Sequence, residues 1–414
     1  ANKIKPDSGV SGVKVIDDYT VQIELVKPYA VFLARLGLIF GKIYPHEAIE
    51  KYGDEIRTHP IGTGPFFLKI IREEQVTFLA RNPSYWKKDA YGNQLPYLDA
   101  LRISYIKEKK NELMEFSKGN SDMVYKFPLE MIDEIVDYKH QLKPAYKQFQ
   151  LQFMPSLSVQ YYGFQHQGTI FNNLYLRKAF CYAIDRQKLC DFTLKGSGFP
   201  AIYGIVPPGT GTYTSQNING FTYDAAKARE YMSKAGYPNG KGCPKITLQL
   251  NSGGTRNTQV AEALKKMIEE TLGIKIDLLT VPWAQHTEAV ESAKTDFYRL
   301  GWSADYPDAE NFLNLFHSKY VPAELSTKTY INSFRYKSKT FDEYFNKAVE
   351  TTDEAKRNEL YNKADQQIID DAVVLPIYYD IDYRLLQPNV RNCPQNAIEQ
   401  RDFSEVYFVP MKGK

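Results

Sequence analysis

Residues 246 to 302 constrain the fold more than any other stretch of the chain. Ile246, Leu248 and Leu250 alternate with polar residues, the period-2 pattern of a strand with a buried face. Val260, Ala261, Leu264, Ile268 and Leu272 then recur at helical spacing, and Gly273 supplies the residue on which a left-handed cap closes such a helix. Ile274, Ile276 and Leu278 alternate again, and a short helix from about 284 to 293 leads into the apolar and aromatic run Phe297 to Trp302. The order β-α-β-α-β requires parallel strands joined by right-handed crossovers, which places the chain in the α/β class. The turn formers Asp305, Pro307 and Asp308 follow, and then a helical pattern carrying Phe312, Leu313 and Phe316. Trp302 and Asp305 therefore sit where a strand runs out into a loop, the place at which open α/β sheets bind ligands.

A chain of 414 residues is too long for one simple core, so two lobes are expected. A net charge of +3 without a Lys/Arg block argues against nucleic acid as the main partner. No apolar run approaches the roughly 18 residues of a membrane span. Aromatic content is the unusual feature, with 31 Tyr and 23 Phe. Most of these rings serve core and surface, while some are expected to line a cleft, where amphipathic rings are useful. The four cysteines, Cys181, Cys190, Cys243 and Cys393, show no Cys-x-x-Cys spacing, which excludes a zinc ribbon or a thioredoxin-like site and leaves disulfide pairing open.

Elsewhere, residues 12 to 25 read as a hairpin turning at Asp17-Asp18, and 30 to 40 as a short helix followed by a strand. Paired strands are expected over 66 to 80, a strand over 101 to 106, a helix over 111 to 118 and a strand over 123 to 125. Ser158 to Phe164 is an aromatic strand. Helices follow over 173 to 184, beyond a cap at Asp185, and over 224 to 235. Thr351 with Glu354 reads as a capping box for a helix bearing Leu360, Ala364 and Ile368. Val373 to Tyr379 is a strongly apolar strand.

Enzyme motifs fail on their own geometry. Gly301-x-Ser303-x-Asp305 lacks the second glycine that the sharp turn of a Gly-x-Ser-x-Gly nucleophile elbow needs, so a hydrolase using Ser303 is the weakest reading. Asp305, Asp308 and Glu310 do not have the spacing of a calcium loop, and Pro307 interrupts them. The six histidines are scattered, and the glycine pairs at 209–211 and 240–242 lack any phosphate-binding context. Neither a cofactor nor a metal site is expected.

Four stretches carry a family resemblance. Gly301-Trp-Ser-Ala-Asp-Tyr-Pro-Asp-Ala-Glu-Asn-Phe312 resembles the signature loop of bacterial extracellular solute-binding proteins of family 5, the oligopeptide and dipeptide receptors of ABC importers. Pro60-Ile-Gly-Thr-Gly-Pro-Phe66 with Arg81-Asn-Pro-Ser-Tyr-Trp86 is similar to a second signature. Leu176-Arg-Lys-Ala-Phe180 with Ala183-Ile-Asp-Arg186 is similar to a third, and Tyr336-Lys-Ser with Phe341-Asp to a fourth.

The resemblance implies a two-lobed, type II periplasmic-binding-protein-like fold. The first lobe would span 1–160 and lack its N-terminal segment, leaving an open sheet edge or an apolar face exposed. The second would span 161–382, and 383–414 would return to the first. The chain would cross between lobes along the strand ending at Phe164 and recross around Ile381 to Leu386. The implied function is an extracytoplasmic receptor, in the periplasm or on the outer face of the cytoplasmic membrane, that closes on a peptide or another amine-bearing solute and performs no chemistry. It would deliver that solute to an ABC permease, with membrane association only through the permease or a lipid anchor absent from this sequence. A sensor or adhesion receptor without transport is the alternative from another class.

Asp305 is the first candidate contact, either pairing with a ligand ammonium, as the resemblance implies, or serving only as a turn former before Tyr-Pro. Gly301, Trp302 and Ser303 are candidates for backbone pairing with an extended peptide. Trp302 and Trp283 would wall side-chain pockets or pack in the core. Arg299 would meet a ligand carboxylate or an acidic neighbour, and Tyr161 and Tyr162 would lie near the crossover, at least one of them packed in the core. Some oligopeptide-binding members bridge two positions that appear here as Ser158 and Ser303, so that disulfide cannot form in this chain.

Overall fold

The computed structural model describes residues 10–137 and 139–411. Its central sheet contains β1 (Met123–Tyr125), β2 (Gln150–Phe164), β3 (Gly198–Pro200), β4 (Ile246–Asn251), β5 (Ile276–Val281), β6 (Phe297–Ser303) and β7 (Val374–Leu386). The strands run in the order β5-β4-β6-β2-β7-β1, and β3 pairs with β7. Helices α1 (Leu174–Tyr182), α2 (Thr255–Leu272) and α3 (Trp283–Glu291) pack around it. The β-α-β-α-β unit forms as its periodicity requires: β4 is parallel to both β5 and β6. Gly273 closes α2 at φ +71, and a Cβ there would stand 2.7 Å from the Asn239 carbonyl oxygen, so both conformation and space call for glycine.

The strands β2 and β7 pair antiparallel from Val374 opposite Gly163 to Leu386 opposite Gln150, and they run through separate bodies of core. On one face of β2, Tyr162 and Phe164 join Phe171, Phe180, Leu264 and Phe297. On the other, Val159 and Tyr161 join Tyr298, Phe312, Phe334 and Phe345. Farther along the pair, Tyr383 and Leu385 join a third cluster with Phe116, Ile132, Ile135 and Phe149.

The third sequence signature has a structural explanation. Arg177 and Arg186 are buried, and the bonds of their guanidinium groups go to main-chain carbonyls rather than to acids. Arg177 donates to Ala372 and Asp371, and Arg186 to Pro376 and Cys181. Each ties α1 or the segment just after it to β7 or the turn before it, satisfying carbonyls that would otherwise be buried and unpaired. Arg335, just before the fourth signature, acts similarly on Val290, Ser333 and Leu325.

Several expectations need correction. The stretch 30–40 holds a helix, Phe32–Leu36, but then a 3-10 turn at Ile39–Gly41 instead of a strand, because Gly37 and Gly41 break the run. The capping box at Thr351 and Glu354 does not form: Asp353 caps the helix Glu354–Asp370 by accepting from the Lys356 N–H at 3.0 Å, and Thr351 donates back to the Lys347 carbonyl. Both β2 and β7 are longer than their apolar patterns. β7 continues past Tyr379 because Asp380 and Asp382 are buried beside Arg256 and Lys126, whose charges offset the cost of enclosing them.

The hairpin Val13–Asp17 with Thr20–Ile23 forms as read, and every residue in it is exposed. Val15 within it, and Val26, Phe40 and Ile43 beyond it, stand in solvent. All four cysteines are free thiols.

Candidate functional site

The site is built on the carboxyl end of β6. Along its full length β6 is paired on one side to β2, with Ser303 opposite Ser158 and Gly301 opposite Gln160. On its other side it pairs with β4 only at Phe297 and Tyr298. Beyond that point, among the described residues, no strand covers this edge. Which peptide groups face it follows from the bonds at either end. The Ala304 N–H donates to Leu157 and the Asp296 carbonyl accepts from Gln165, so even-numbered residues bond toward β2. Alternation turns the N–H and C=O of Arg299, Gly301 and Ser303 to the open edge. His286 of α3 meets the Arg299 carbonyl there at 2.8 Å. Burial lowers the pKa of His286, which keeps the ring neutral at pH 7, with Nε2 donating to that carbonyl and Nδ1 accepting from Gln249. Gly301 and Ser303 keep their edge free of any strand.

Asn311 organises the loop that follows. Its Oδ1 accepts from Trp302 Nε1 at 2.8 Å and from the Asp305 N–H at 3.0 Å. Its Nδ2 donates to Asp305 Oδ2 at 3.2 Å. Asp305 is exposed, and among the described residues its carboxylate pairs with no cationic side chain. It is an anion held in place by neutral groups.

Leu300 and Trp302 of β6 face a cavity of about 150 Å³, lined in part also by Tyr161, Trp283, Tyr330 and Phe334. That space suits one large apolar side chain. Trp283 opens α3 half-exposed, as a wall, and the Trp302 ring lies 6.2 Å from that of Tyr330. Tyr161 lies in the lining although almost fully buried. Tyr162 does not reach the cavity: adjacent strand residues face opposite ways, and its ring packs 5.9 Å from Phe297 in the other core.

Arg299 and Ser303 face a polar cluster on the opposite side. Arg299 donates to Asn251 at 3.2 Å and to Gln160, so its partners are amides rather than an acidic neighbour. Gln160 and Ser158 both donate to Asp380, which also pairs with Arg256 at 3.1 Å. Ser303 Oγ stands 3.2 Å from Ser158 Oγ, so the two serines are adjacent and share a hydrogen bond. Sequence reasoning missed Gln160, Asn251, His286 and Asn311. Each is an ordinary polar residue whose role appears only when β2, β4, α3 and the loop are brought together.

Comparisons with known proteins agree with this architecture. Residues 2–322 match the model of bacterial extracellular solute-binding proteins, family 5 middle. The chain is 26% identical over 411 residues to heme-binding protein A of Haemophilus influenzae, covering 98% of this chain and 70% of that protein. It is 28% identical over 392 residues to the periplasmic oligopeptide-binding protein OppA of Escherichia coli, covering 91% of this chain and 66% of that protein. The chain thus spans about two thirds of the length of these relatives. The periplasmic binding protein DppA of Helicobacter pylori, solved with the peptide STSA, superposes with a TM-score of 0.81 at 25% identity, covering 96% of this chain and 74% of that one. The oligopeptide-binding protein AppA of Bacillus subtilis, solved with a nonapeptide, shares the fold at a TM-score of 0.76 and 21% identity, over 96% of this chain and 78% of that one. Among the described residues no helix is long and apolar enough to cross a membrane. With a family model matching most of its length and a sheet, loop and topology to suit, this chain belongs to family 5 of the bacterial extracellular solute-binding proteins.

Proposed function

We propose that this chain is the solute-binding part of an extracytoplasmic receptor, in the periplasm or at the outer face of the cytoplasmic membrane, and that it presents a peptide to an ABC permease. The observation that carries this reading is the edge of β6 at Gly301 and Ser303, which among the described residues no strand covers, next to a carboxylate that pairs with no cationic side chain among them. A peptide added along that edge bonds through its main chain, which gives affinity across many sequences. Its α-ammonium reaches Asp305, one side chain enters the cavity beside Trp302 and Trp283, and Arg299 is available to a ligand carboxylate.

The lobes divide near residues 160 and 382, along β2 and β7, and the segment after 382 rejoins the first lobe. Closure of the two lobes encloses the ligand, and contacts from both sides favour the closed state. No chemistry is performed on the ligand. Ser303 is bonded to another hydroxyl, Ser158, and not to a base that would activate it. OppA and the glutathione-binding protein GsiB of Shigella flexneri, similar to this chain at 28% identity, carry names that refer to peptide ligands.

Native mass spectrometry of protein purified without denaturant tests the reading. A ladder of co-purified peptides, displaced by an added tripeptide, is the expected result. A bound haem or sugar, or no binding of any member of a mixed peptide library, would overturn it.

A further inference from the structure

Glu310 lies five residues after Asp305, on the short helix Glu310–Leu313, and it is 2% exposed. A carboxylate so enclosed needs strong partners. Tyr306, from its own loop, donates to Oε2. The other partners come from far away in the chain. Tyr29 donates to Oε1 at 3.3 Å, and Arg35 Nη2 reaches the same oxygen at 3.1 Å. Arg35 Nε donates to Tyr306 Oη at 3.2 Å, and its guanidinium lies 5.2 Å from the centre of the Tyr29 ring. Burial pushes the Glu310 carboxyl above its ordinary range even against the pull of Tyr306 and Arg35.

The same segment is tied down twice more. The Ala30 N–H donates to the Val349 carbonyl at 3.0 Å, and Lys27 pairs with Glu350. Val31 is buried, while Tyr29 packs against the core cluster that holds Phe312 and Leu313. By contrast, the hairpin immediately before this segment is exposed throughout. Residues 27–35 thus leave an exposed region, cross to the core cluster of Phe312 and Leu313 and end on the loop that carries Asp305 and Asn311.

We propose that residues 27–35 are a strap that clamps the Trp302–Asn311 loop, with Arg35 on Glu310 as its clasp. Arg35 and Glu310 are positioning residues: neither lines the cavity nor the open edge of β6. Engaging the clasp orders the loop in the conformation that presents Asp305, and releasing it lets the loop move. That the strap also slows ligand escape rests on the peptide-binding reading. That it orders the loop does not.

Hydrogen exchange on the full chain, without ligand, tests the clamp. Arg35→Gln and Glu310→Gln should each speed exchange over residues 301–313 by roughly tenfold to a hundredfold, the scale of a hydrogen bond to a charged group. Exchange in Thr255–Leu272 should stay unchanged. The double variant should be no faster than either single one, and Arg35→Lys should restore part of the protection in low salt and lose it in high salt. Arg35 has a side chain 43% exposed, so its replacement leaves the fold intact even if Glu310→Gln fails to fold. Unchanged exchange in Arg35→Gln, or additive effects in the double variant, would overturn the clamp. A second measurement follows dissociation of trialanine by stopped flow, with faster release expected from Arg35→Gln. Absence of trialanine binding in every form, with the exchange result intact, would count against the receptor reading and leave the clamp standing.

Discussion

Asn311 holds Asp305 from both sides of the residue: its Oδ1 accepts the Asp305 N–H at 3.0 Å, and its Nδ2 donates to Asp305 Oδ2 at 3.2 Å. Two bonds from one side chain fix the position of Asp305, and among the described residues no cationic side chain answers its charge. Because the same Oδ1 also takes Trp302 Nε1 at 2.8 Å, one side chain sets the cavity wall and the carboxylate together.

Replacing that side chain strands two donors. Asn311→Ala leaves Trp302 Nε1 and the Asp305 N–H without their acceptor, at a cost of about 1–3 kcal/mol. Urea denaturation should show the loss, and tryptophan emission should report a wetter indole in the folded protein. A variant with unchanged stability and unchanged emission would mean that water replaces Asn311 without cost.

Gly204 is required for space, not for backbone freedom. A Cβ there would lie 2.1 Å from Asp365 Oδ2, and that carboxyl is pinned by the Ile205 N–H, the Val206 N–H and the Tyr213 hydroxyl. Gly204→Ala must break part of this set or move the helix that carries Asp365, which predicts a loss of about 2–4 kcal/mol. Gly236→Ala is the contrasting case. Its Cβ meets nothing within 4 Å, but φ is +98, so about 1 kcal/mol of strain is expected. Equal losses in the two variants would contradict the distinction.

Asp365 also predicts a pH dependence. Burial outweighs its three donors and pushes the carboxyl up from an ordinary 3.8 to about 6. The folded protein therefore holds this proton more tightly than the unfolded chain does. The resulting stabilisation is complete below pH 3.8 and is lost as pH rises through 6, amounting to about 3 kcal/mol for a shift near two units. The stability of the parent relative to Asp365→Asn, measured in urea from pH 4 to pH 7.5, should fall by that order. A flat difference would show that the carboxyl is ionised throughout.

The fold was legible where chemistry is local. Residues 246 to 303 declared themselves through periodicity, and Asn173, Asp185 and Asp224 cap their helices as their residue types suggest. Legibility failed where distant groups compensate each other. The full length of β7 was hidden because Asp380 and Asp382 break an apolar pattern, and the cations that make their burial tolerable lie at Arg256 and Lys126. In the site, the position of Trp302 and Asp305 was readable from a strand running out into a loop, while the open edge appears only in the pairing of β6. His286 and Gln160 were not, since polar side chains acquire such roles only through sheet register.

The backbone pairing proposed along β6 predicts how ligands rank. Methylating the peptide nitrogen that faces the Gly301 carbonyl removes one bond and blocks close approach, so affinity should fall about tenfold or more. Exchanging ligand side chains that stay outside the Trp283–Trp302 cavity should change affinity only a few-fold. Calorimetry with a methylation series would decide, and the reverse ranking would rule out strand addition.

The most direct prediction concerns the Asp305 charge. Asp305→Asn keeps an oxygen for Asn311 Nδ2 and a backbone N–H for Asn311 Oδ1, so the loop should hold its shape and stability should barely change. On the peptide-binding reading proposed above, what disappears is the partner of the ligand ammonium. Enclosing that ammonium unpaired costs roughly 2–5 kcal/mol, on the order of thirty-fold to several-thousand-fold in affinity. Acetylating the ligand's amine removes the same interaction from the other side. Free and acetylated forms of one peptide, each titrated into parent and variant, complete a double cycle. Each single change should weaken binding strongly, and the two together should cost little more than either alone. If instead the losses add, the two groups do not meet, and the cation of the ligand must be sought elsewhere in the cleft.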